Sequence, residues 1–208
     1  MKLATQLLII SCPIAALAQG TVNFANDSTV LSSPPDRLIR IDVGSNPCNA
    51  YGTNNAPVTG TNFLVQLYYG ANTAPESGLV PVSTTPAHMR ASTSANAGTW
   101  AGGGERTLTG FPFGSGQVQL QVRIWDINFG ATYEQALNSP FTSCVIGKSQ
   151  PFLYTIPNSS GDPQSAFVMA NFQGFTIFSV PEPSIFALVG LGAAVVSLAR
   201  RKLAGKRG

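Results

Sequence analysis

A chain of 208 residues with one histidine, three cysteines, two tryptophans and only 10% charged side chains is short of most of the groups that do chemistry. Each shortage excludes something. A lone histidine, His88, rules out histidine-rich zinc motifs, and the cysteines stand too far apart in sequence for a paired thiolate site. No nucleophile elbow or cysteine-protease signature surrounds any serine or cysteine, so His88 reads as a structural or solvated side chain. The carboxylates are scattered, and no pair is marked for glycoside hydrolysis. Cations are scarce where they would matter: residues 19 to 180 hold six against eight acids, and no basic patch is interleaved with aromatics. Nucleic acid is therefore not an expected partner. The reading is a non-enzyme with no cofactor and no metal.

What the chain does have is concentrated at its ends. The N-terminus, MKLATQLLIISCPIAALAQG, carries one cation (Lys2), a short apolar stretch and Ala16-Leu17-Ala18 before Gln19. That is the pattern of a secretory signal peptide over residues 1–18, cleaved after Ala18. A lipoprotein site at Cys12 is the rival reading, weakened by Pro13 directly after it.

At the other end, Val180-Pro181-Glu182-Pro183 is followed by sixteen residues without charge, Ser184 to Ala199, and then by Arg200, Arg201 and Lys202. Two prolines bar helix and keep the first part extended. As a helix the apolar part would rise about 24 Å, close enough to a hydrocarbon core for a transmembrane segment over 184–199. The basic tail, 200–208, would then stay in the cytoplasm as a stop and orientation signal. These three parts, in this order, resemble the PEP-CTERM sorting signal of exported bacterial proteins. The resemblance implies a sorting motif at Val180, Pro181, Glu182 and Pro183, and a partner, the membrane-embedded transpeptidase exosortase, that processes the chain near it. It covers residues 179–208.

The region between, residues 19–178, is rich in Gly, Pro, Ser, Thr and Asn with short apolar alternations. Gln117 to Asp126 is the clearest: Val118, Leu120, Val122 and Ile124 fall on one side, Gln117, Gln119, Gln121 and Arg123 on the other, which is a half-buried strand. Strands are also expected at Thr21–Ala25, Leu38–Val43, Asn62–Tyr69, Phe152–Ile156 and within 166–178, and a brief helix at Tyr133–Leu137. Gly102-Gly103-Gly104 and Gly114-Ser115-Gly116 read as hairpin turns. The fold class is all-β, an antiparallel β-sandwich of jelly-roll or immunoglobulin-like type, plus the C-terminal helix. Phe63 to Gly70, Val118 to Trp125 and Gly130 to Ala136 resemble ectodomains of verrucomicrobial type, a likeness that implies no activity.

Once the signal peptide is set aside, Cys48 and Cys144 remain. In an oxidising compartment they are a disulfide candidate, with two unpaired thiols as the alternative. Asp126-Ile127-Asn128 begins like a calcium loop, but Leu137 stands where an EF-hand needs glutamate, and Asp and Asn are ordinary turn formers after a strand. The expected function is that of an exported surface or extracellular-matrix protein with a structural or interaction role. Its partners are exosortase and, through the C-terminal helix, the membrane. The alternative is a carbohydrate-binding module or adhesin for an exopolysaccharide, with Tyr51, Tyr68, Tyr69 and Trp100 as stacking residues.

Overall fold

The computed structural model describes residues 18–26, 36–42, 55–82, 85–139 and 145–179. Its strands are β1 (Gln19–Asn23), β2 (Arg40–Ile41), β3 (Phe63–Ala71), β4 (Val80–Pro81), β5 (Ala87–Met89), β6 (Trp100–Ala101), β7 (Glu105–Pro112), β8 (Gln117–Asp126), β9 (Val145–Lys148), β10 (Phe152–Thr155) and β11 (Thr176–Ser179). One helix, α1 (Tyr133–Leu137), lies between β8 and β9. The signal peptide, Cys48, Cys144 and everything from Val180 onward lie outside the described residues.

The architecture grows from β3 and β8, which pair antiparallel along nine consecutive positions, from Phe63 with Asp126 to Ala71 with Val118. Alternation does the rest. Phe63, Val65, Leu67 and Tyr69 of β3 point into the same apolar cluster as Val118, Leu120, Val122 and Ile124 of β8. On each flank the sheet forks. β8 pairs β10 through its first half and β9 through its second; β3 pairs β5 near its start and β4 near its end. The larger sheet runs β2-β11-β9-β8-β3-β5-β6, while β1 and β7 form a separate two-stranded sheet. Val22 of β1, Phe24 just after it and Leu108 of β7 close the core against the larger sheet. Burying one such aliphatic or aromatic side chain contributes roughly 1.5–3 kcal/mol.

The described residues are mostly β, as expected, with two corrections. The layers are unequal and forked, and β11 runs parallel to β2, so the fold is not purely antiparallel. The glycine segments are not hairpin turns. Gly102 to Gly104 link β6 of the large sheet to β7 of the small one, and Gly114 to Gly116 lead from β7 back to β8. Gly102, Gly104, Gly114 and Gly116 all have positive φ, the left-handed backbone that such corners require. Between them, a Cβ on Gly103 would collide with the Phe24 carbonyl oxygen. The expected membrane-spanning helix falls outside the described residues, among which no helix is long and apolar enough to cross a bilayer.

Candidate functional site

β8 is not half-buried throughout. Its second face is covered as well, and there Gln121 and Arg123 are buried beside Trp125. The cover is α1. Thr132 accepts a hydrogen bond from Gln135 N at 3.2 Å and caps the helix, which sets Tyr133 and Ala136 down on Leu64, Tyr68, Trp125 and Ile146.

Arg123 is the centre of this face. Its guanidinium carbon lies 3.9 Å from the centroid of the Tyr68 ring and 5.2 Å from that of Tyr133. Nε donates to Gln121 Oε1 at 2.8 Å, Nη1 to Glu134 Oε1 at 3.1 Å and Nη2 to the Glu76 carbonyl at 3.3 Å. The Tyr68 hydroxyl also donates to Glu134, at 2.9 Å, and burial together with that carboxylate pushes the phenol well above its ordinary range. Lys148 forms an ion pair with Glu76 and holds that carboxyl below its usual value. A cavity of about 640 Å³ opens beside this group, lined in part by Arg123, Tyr133, Lys148 and the exposed apolar side chains of Leu137 and Phe178. The charged and phenolic groups here are engaged with one another. Chemically the arrangement is a pin: it ties α1 and the segment at Glu76 to the sheet.

The residues singled out in the sequence are not brought together. Val180, Pro181, Glu182 and Pro183, the cations Arg200, Arg201 and Lys202, the two cysteines and Tyr51 lie outside the described residues. Tyr68, Tyr69 and Trp100 are described, and all three are buried. None offers a face for stacking on a sugar, which removes them as a carbohydrate platform. Trp100 instead packs on Phe24 at 4.8 Å and donates its indole N–H to the Phe24 carbonyl at 2.9 Å. His88 is exposed on β5, its Nδ1 2.8 Å from the Thr61 carbonyl oxygen. The Asp126 carboxylate is buried and accepts from Asn128 N at 2.9 Å, which is a turn cap. Among the described residues no three His, Cys, Asp or Glu side chains are grouped to hold a metal.

The geometry that bears on sorting is the end of β11. Thr176 and Ile177 pair with Arg40 and Ile41 of β2, while Phe178 and Ser179 pair with Ile146 and Val145 of β9. β11 is thus an inner strand, and Val180 follows its last residue directly.

Compared with known protein families, residues 179–202 match the PEP-CTERM protein-sorting motif, and the match begins at the last residue of β11. Neither the curated proteins nor the solved structures compared contain a match to the chain. The motif marks an exported protein targeted to an exosortase.

Proposed function

We propose that the chain is the precursor of a non-catalytic surface or matrix protein. The signal peptide carries it across the membrane, the apolar segment 184–199 holds it there with the basic tail inside, and an exosortase then processes it at the Pro-Glu-Pro box. The observation that carries this reading is the junction: the sorting motif starts where β11 ends, so a cut within the box leaves every described strand intact. A fold with an internal final strand suits a load that is displayed after its handle is removed. The engaged state of the Arg123 group supports a structural role for the second face. We read the ectodomain as one of verrucomicrobial type because three of its segments, Phe63 to Gly70, Val118 to Trp125 and Gly130 to Ala136, resemble such domains.

The test is substitution of Pro181 and Pro183 together by alanine in the native host. The account expects the full-length form to accumulate in the membrane fraction and the processed form to disappear from the surface. Unchanged processing and release of the double variant would contradict it.

A further inference from the structure

The apolar surface under α1 continues past the edge of the helix. Leu64, Trp125, Ile146 and Phe178 are successive cross-strand neighbours on β3, β8, β9 and β11. α1 packs over the first three, whereas Phe178, the outermost, is 48% exposed. Leu137, the last residue of α1, is also exposed, and it lines the cavity of about 640 Å³ together with Phe178, Tyr133 and Ile146. The cavity is thus a largely apolar notch between the helix end and the last strand.

Register fixes where this notch lies. β9 runs antiparallel to both β8 and β11, so the end of β8, the start of β9 and the end of β11 share one end of the sheet. Ile127 follows β8 at that end. Five large apolar side chains are exposed among the described residues, and three of them, Ile127, Leu137 and Phe178, belong to this end or to the notch. The other two, Val80 and Leu153, sit beside Tyr69 and Gln119, toward the opposite end of the β3–β8 ladder. Val180 leaves from the end that carries the three, and four residues, 180–183, are all that separate β11 from the uncharged run 184–199.

We infer that, in the precursor, Phe178 and Leu137 rest on the lipid surface of the membrane that holds the chain. The contact follows from the anchored precursor proposed above: with 184–199 in the bilayer, a four-residue tether keeps the end of β11 at the bilayer surface. Exposed apolar side chains are poorly placed in water, and the headgroup–acyl boundary takes them in without a partner of defined shape. Charge sets the class of lipid. The cations that line the notch, Arg123 and Lys148, are ion-paired with Glu134 and Glu76, so no anionic headgroup is required and a zwitterionic surface suffices. Two such side chains are too few to hold a domain on a membrane by themselves, so removal of the sorting segment ends the contact.

The test uses the unprocessed chain, purified from the membranes of an expression host without an exosortase and reconstituted into phosphatidylcholine vesicles brominated near the headgroup end of the acyl chains. Tryptophan is introduced at one exposed position at a time, as Phe178→Trp, Leu137→Trp and, at the opposite end, Leu153→Trp. Trp100 and Trp125 are buried, and the parent's emission is subtracted. Bromine should quench the new fluorophore at 178 and at 137 roughly twofold or more over that at 153. Quenching at either position no greater than at 153, in a chain that floats with the vesicles, would overturn the lipid contact and leave the anchor standing. A chain that does not float with them would overturn the anchored precursor and the contact together.

Discussion

The β domain and the segment after Ser179 are joined without a spacer, yet they carry their information in opposite ways. In the domain a residue's role is set by partners far along the chain. The Tyr154 hydroxyl reaches the Thr21 carbonyl, Arg37 reaches the carbonyls of Met169 and Ala170, and β1 is paired to β7 across more than eighty residues. In the sorting segment the order of box, apolar run and cations is itself the message, and it is read locally by an enzyme. Domain substitutions should therefore change stability without changing how folded molecules are processed. Substitutions in the box should do the reverse.

The sharpest way to strain that separation is Leu120→Ala. Leu120 is fully buried, paired with Tyr69 on one side and Phe152 on the other, and its truncation is expected to cost about 2–5 kcal/mol. Denaturant unfolding measures the loss, and processing should be normal at a temperature where the variant is still folded. Loss of processing under those conditions would break the comparison. Arg123→Met comes next. It keeps the stem but removes the donors to Gln121, Glu134 and the Glu76 carbonyl, an expected loss of about 1–3 kcal/mol. A variant as stable as the parent would show that the second face is not pinned by Arg123.

The smallest effect belongs to Glu76. Lys148 lowers its folded pKa, so the pair's contribution is present above the ordinary glutamate value. It is lost as pH falls through the lowered one. Both side chains are more than a third exposed, which limits the contribution to at most about 1 kcal/mol. Melting temperatures of the parent and Glu76→Gln should thus converge as pH falls below the ordinary glutamate range. A gap that widens with acid would reverse the assignment.

Legibility followed the range of the physical cause. β8 and α1 lie where the sequence pattern puts them, at Gln117–Asp126 and Tyr133–Leu137, because a long period-two run and a capped helical turn are local signals. β7 was not expected, since Leu108 is its only buried residue and its partner β1 is distant. The run expected as a strand within 166–178 instead begins in the 3-10 turn Gln164–Phe167 and becomes a strand only at Thr176. The alternation at Leu38–Val43 survives as the two residues of β2, which are the ones β11 can reach. The glycine segments read as hairpin turns because a local glycine cluster marks a change of direction, but which sheet receives the chain is set by distant pairing. Gln121 and Arg123 resembled a solvent face until α1 packed over them, an event that no single strand encodes.

The most direct measurement is the intact mass of the mature protein purified from its native host. The account predicts a chain that begins at Gln19 and ends within the Pro-Glu-Pro box, after Ser179 and no later than Pro183, with β11 whole. A mature form that keeps residues 184–208, or one cut upstream of Ser179, would contradict it.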